Sequence, residues 1–322
     1  MKNKMRVTKK VLYYYILIIL ALLSIQIFPL FKNIKDPIAT EIVFSIVSQV
    51  LIFGVLPILL LVSFSSSEAR IFSTFKVNKG LSFKTLICVI GFGIFAMYIA
   101  NFLNTLFVIT MESLGFSKEP SKGEETYFLI DFLRNVILTC LFPALFEEIT
   151  HRGMLLGYLS REYSVKKSIY LSSLFFSLMH MNMPQLFFTF ILGYMIAIAV
   201  IATNSFWAGV VIHFLNNFIA VTSGHLNGAY NFDKNYQSFL DTRFGQIFNI
   251  IKIMAMGLFM ILSVLKILKL YEKNEQNHEL AINFANRKEL KQLRKNNKFP
   301  MFLIKFSLIL VNVLFMFLMY KE

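Results

Sequence analysis

The sequence predicts an all-α, polytopic bundle of about nine membrane-spanning helices. Hydrophobic residues make up 57% of the 322-residue chain, and its 36 Phe leave too little polar material to clothe a soluble domain. The apolar residues fall into runs long enough to cross a hydrocarbon core of about 30 Å. Lys and Arg collect in alternate loops, as they do on the inner side of a membrane protein.

The first run, 11–31, follows MKNKMRVTKK, which holds five basic residues and no acidic one. It is longer than a signal-peptide core and ends in FPLF rather than at a small-residue cleavage site, so it reads as an uncleaved span with the N-terminus inside. Further spans are expected at 42–64, 85–111, 127–158, 168–183, 185–202, 206–223, 245–270 and 300–320, the fifth and sixth being short and meeting at Pro184. Loops on the N-terminal side hold 19 basic and 6 acidic residues, whereas those on the other side hold 7 and 9. Nine crossings with a cytoplasmic N-terminus and an external C-terminus satisfy that bias. Three units follow: N-terminal helices over 1–126, a core of four to five helices over 127–223, and C-terminal helices over 224–322 with a basic cytoplasmic loop at 271–299. That loop reads as a partly helical, surface-lying topology determinant, with anionic-lipid binding as the alternative.

Composition also excludes classes. The formal charge of +14 is spread through loops, with no basic soluble domain and no finger-type Cys/His spacing, which argues against nucleic-acid binding. Cys88 and Cys140 both sit in apolar runs and read as small core residues rather than a disulfide. Richness in Lys, Asn, Ile and Phe suggests an AT-rich genome, and the expected location is a bacterial plasma membrane, as a multi-pass protein.

The chemistry concentrates in FPALFEEITHRG, residues 142–153. Charges at that depth cost roughly 2.5 to 3.5 kcal/mol each, so ionisable residues inside a span mark a functional site by default. Glu148 and Arg152 stand at i, i+4 with Glu first, the favoured order for an ion pair, while Glu147 points about 100° away and is left for other work. Pro143, four residues before Glu147, removes a backbone donor and should free a carbonyl where water or substrate could approach. Elsewhere, Asp131 and Arg134 can pair, and Lys266, Lys269 and Lys305 can snorkel from helix ends; Lys252 lies deeper. Phe176 and His180 share one helix face, as do His213 and Asn217.

Glu147-Glu148-x-x-x-Arg152, Phe176-x-x-x-His180 and His213-x-x-x-Asn217, each in its own span and in that order, resemble the motif set of the CPBP family, the CAAX-protease and bacteriocin-processing (Abi) intramembrane proteases. The similarity runs from about 127 to 223. The resemblance implies an endopeptidase acting on a membrane-associated peptide or protein, in peptide maturation or bacteriocin self-immunity. It assigns Glu147 and His180 to water activation, His213 and Asn217 to the oxyanion, and Glu148 with Arg152 to holding the site. Zinc would take about three protein ligands plus water, for which Glu147, His180 and His213 are the candidates, although there is no H-E-x-x-H helix. A metal-free glutamate base is equally consistent. His151 is expected to face the cytoplasmic mouth, with a hydrogen bond to the Glu147 carboxylate as the alternative. A catalytically idle scaffold or immunity protein is the rival from outside enzymes. A solute transporter is a second, which no pairing of broken segments in two halves supports. Geometrically, Glu147, His180, His213 and Asn217 should converge on one cavity.

Overall fold

The structure is a computed structural model that describes residues 13, 15–22, 34–59, 80–115 and 128–286. The described residues are helical with no strand, in keeping with the all-α expectation. After a helical segment at 15–22 come α1 (Pro37–Leu59), α2 (Phe83–Ser113), α3 (Leu129–Ser160), α4 (Val165–Leu178), α5 (Met183–Thr203), α6 (Phe206–Tyr230), α7 (Phe232–Leu240) and α8 (Arg243–Asn286).

Local sequence sets these boundaries. Asp36 caps α1, its Oδ1 accepting from the N–H of Ile38 at 3.0 Å, and Pro37 occupies the first turn, where a missing N–H costs nothing. Ser82 caps α2 through the N–H of Thr85 at 3.3 Å. Asn204 and Asn231 end α5 and α6 in the left-handed region, at φ 54° and 48°, a conformation Asn tolerates.

α1, α2, α3, α5, α6 and α8 are long and apolar enough to cross a membrane. The fifth expected span is corrected: α4 has 14 residues, about 21 Å at 1.5 Å per residue, and ends at Leu178 rather than 183. The described residues therefore carry six full-length crossings among the nine expected. The first run is described only in part, and the ninth, with Lys305 and residues 287–299, lies outside the described residues.

α5 is the central helix, packed by α4, α2, α8 and α6. Of its most apolar window 56% is buried, against 11% for α8, whose Phe244, Ile251, Met254 and Leu258 face outward as a lipid-facing surface would. One apolar cluster joins Tyr15, Ile18, Phe53, Leu155, Phe175 and Met179, and a second joins Phe92, Leu192, Ile196, Val200, Ile212 and Ile267.

The outlying charges are satisfied locally. Arg134 bridges Asp131 at 2.8 Å and Glu41 of α1 at 3.2 Å. Lys252, deep in α8, meets the hydroxyl and ring of Tyr236. Cys88 and Cys140 are free thiols. The start of the 271–299 stretch continues α8, and Asn274 donates to the Ala202 carbonyl at 2.7 Å, so it packs on α5 instead of lying apart.

Candidate active site

α3 is not a uniform α-helix. It runs in π-helical turns over Val136–Leu141 and again over Ile149–Leu156, on either side of the α-helical Phe142–Glu148. Such wide turns accompany functional positions because they re-aim side chains relative to a regular helix. Pro143 can donate neither to the carbonyl of Leu138, five residues back in the π-helical register, nor to that of Thr139, four back. Neither oxygen is bare: Ser45 Oγ of α1 donates to the first at 3.3 Å and Asn217 Nδ2 of α6 to the second at 2.9 Å.

Glu148 is fully buried and pairs with Arg152 as the spacing requires, Nη1 to Oε1 at 2.6 Å. Nη2 of Arg152 donates to the Gly193 carbonyl of α5 at 3.0 Å, and its Cζ lies 4.5 Å from the centroid of Phe176. His213 Nδ1 joins the same Glu148 Oε1 at 3.0 Å, so this carboxylate holds a histidine as well as an arginine. Gly209, one turn before His213, allows the approach: a Cβ there would stand 2.6 Å from Glu148 Oε2.

With Nδ1 engaged, His213 turns Nε2 toward Glu147, 4.0 Å from Oε2. The other oxygen of Glu147, Oε1, accepts from Gln49 Nε2 of α1 at 3.0 Å. His180 follows α4 in a turn that includes Met181 at φ 45°. Its Nδ1 donates to the Phe176 carbonyl at 2.9 Å, which leaves Nε2 as the free ring nitrogen. Glu147 and His180 line one cavity of about 160 Å³, whose other walls include Leu22, Phe44, Gln49, Phe53 and Met179. Neither His213 nor Asn217 is among its lining residues, so the expected convergence of all four side chains on one cavity is corrected to Glu147 and His180.

Phe176 organises the histidines. Its ring meets those of His151, His180 and His213 edge to face, at centroid distances of 4.9, 4.9 and 5.6 Å, while Arg152 covers it. Such contacts fix ring planes at little cost in packing.

His151 corrects an expectation. It is fully buried and does not face a mouth; Nδ1 donates to the Glu147 backbone carbonyl at 2.7 Å and Nε2 faces the Tyr15 hydroxyl at 2.7 Å. The bond to the Glu147 carboxylate, the alternative, is not made either, because at i+4 the ring meets the backbone oxygen first.

For zinc the arrangement does not fit. Among the described residues no three His, Cys, Asp or Glu are grouped as a ligand set. Glu147 is instead held by an amide on one oxygen and faces an imidazole at 4.0 Å on the other.

Residues 129–219 match the family model described as Rce1-like, type II CAAX prenyl endopeptidase Rce1-like. By this segment the chain is similar to the CPBP family. The match spans under a third of the chain, includes Glu147, Glu148, Arg152, His180, His213 and Asn217, and supports at family level an intramembrane endopeptidase of the CAAX type. No curated protein and no solved structure gives a match.

Gln49 and Tyr15 lie outside the CPBP segment and were missed by sequence reasoning. A lone Gln inside the apolar IVSQVLIFGV was the available signal for the first. For the second, one Tyr among three consecutive ones, there was none.

Proposed function

We propose that the chain is an endopeptidase that hydrolyses a peptide bond in a membrane-associated peptide or protein, with Glu147 as the group that activates water. The observation that carries this reading is the disposition of Glu147. It is a carboxylate at the wall of a cavity, with one oxygen held by an amide and the other facing His213.

In this scheme Oε2 of Glu147 takes a proton from water as the hydroxyl oxygen attacks the carbonyl carbon. The free Nε2 of His180, whose Nδ1–H is given to Phe176, accepts the second water proton as a hydrogen bond and aims the lone pair. His213, its Nδ1 held by Glu148, presents Nε2 on the side where the oxyanion forms. Collapse of the tetrahedral intermediate breaks the C–N bond, and Glu147 returns its proton to the leaving amine. Glu148 and Arg152 hold His213 in register. Asn217 acts through the Thr139 carbonyl, bracing α6 against α3, instead of on the oxyanion. The apolar walls from Leu22, Phe44, Phe53 and Met179 suit an apolar side chain beside the scissile bond.

The test is direct. The protein in lipid nanodiscs is offered quenched-fluorescent peptides, farnesylated on a cysteine near the C-terminus or bearing only apolar residues there, in water enriched in ¹⁸O. Cleavage with one ¹⁸O in the new carboxyl group is expected. No cleavage of either set would overturn the reading.

A further inference from the structure

Gln49 stands outside the CPBP segment, on a helix that the site's own residues dock. Thr150 Oγ1 donates to the Phe53 carbonyl at 2.7 Å, Ser45 Oγ donates to the Leu138 carbonyl at 3.3 Å, and Gly54 packs so closely that a Cβ would lie 2.6 Å from the Phe146 ring. The π-helical turns of Ile46–Val55 then place Gln49 in the cavity wall beside Glu147. Its Nε2 makes one hydrogen bond, to Glu147 Oε1 at 3.0 Å. Its own Oε1 is buried without a hydrogen-bond partner. An amide kept only to stabilise the fold would not leave an acceptor stranded, since a buried unpaired polar atom costs more than an apolar side chain of the same size.

We infer that Gln49 is a positioning residue for the proposed hydrolysis: its amide clamps Oε1 of Glu147, so that Oε2, on the side of His213, is the oxygen that takes the proton from water. The inference rests on the reading of Glu147 given above. It adds that the site is completed from α1, by a residue that does not itself touch the reacting atoms. A free carboxylate rotates about its terminal torsion and exchanges its two oxygens, whereas a donor on one of them fixes which lone pair meets the water. Such preorganisation acts on the chemical step and not on substrate binding.

The test uses full-length protein in nanodiscs and the peptides described above, with wild type, Gln49→Met and Gln49→Asn. Met keeps the length and removes the donor; Asn keeps the amide but falls short of Glu147. Either variant that accumulates decides the matter. The expected result is a kcat lower by about 10- to 100-fold with KM within about twofold and an unchanged melting temperature. A wild-type kcat in an accumulating variant overturns the inference, and so does a loss confined to KM, which would make Gln49 a substrate-binding residue. If wild type cleaves and Glu147→Gln does not, the functional reading stands whichever way Gln49 falls. If wild type cleaves nothing, that reading falls and takes the role of Gln49 with it.

Discussion

Asn217 Nδ2 lies 2.9 Å from the carbonyl of Thr139, in the π-helical turns that precede Pro143. The helix that carries His213 is thus tied by an amide to α3 just ahead of the paired glutamates. Asn217→Ala should lower stability by about 0.5 to 1.5 kcal/mol by removing that hydrogen bond. Thermal unfolding in nanodiscs measures this. An Asn217→Ala protein of normal stability with a collapsed kcat would instead place the amide on the oxyanion.

Arg152 and Glu148 test the support of His213. Removing one partner of a buried pair costs about 3 to 5 kcal/mol because the other is left uncompensated. Arg152→Ala should therefore lower abundance and activity together. Arg152→Ala with Glu148→Ala should recover abundance but not activity, because His213 Nδ1 has lost the acceptor that aims its ring. Equal stability of all three proteins would contradict the pairing.

Gly209 and Gly257 make a matched pair of controls. A methyl at 209 would meet Glu148 Oε2 at 2.6 Å and Val200 Cγ2 at 3.1 Å, whereas at 257 nothing lies within 4 Å. Gly209→Ala should cost about 1 to 3 kcal/mol and displace His213. Gly257→Ala should be neutral or stabilising by up to about 1 kcal/mol, as for any helix-interior glycine with room for a methyl. Similar melting temperatures for both variants would mean that α6 and α3 do not approach as described.

Phe176→Leu keeps an apolar side chain but removes the ring that three imidazoles and Arg152 contact. Activity should fall by about 10-fold or more, out of proportion to the loss of stability, because ring planes and not burial are lost. Paired kcat and unfolding measurements check it, and parallel small changes in both would argue against an organising role.

The sequence made the helical class legible through long apolar runs, and the i, i+4 rule foretold the Glu148–Arg152 pair. It misplaced the bounds of α4, because periodicity and hydropathy do not register the turn with a left-handed Met181 that follows it. The partners of Glu147 were hidden for another reason. Gln49 lies 98 positions away, and no local spacing rule reaches across α1 to α3. His151 was misplaced because no local spacing points to Tyr15, 136 positions away, whose hydroxyl covers it.

Glu147→Gln bears most directly on the account. It preserves size and the ability to hydrogen-bond while removing the basic oxygen, so the protein should fold and accumulate as wild type does. Its kcat for ¹⁸O-incorporating cleavage in nanodiscs should fall by about 10²- to 10⁴-fold, the range expected when a general base is lost. A Glu147→Gln protein that cleaves at the wild-type rate would contradict the assignment of water activation to Glu147.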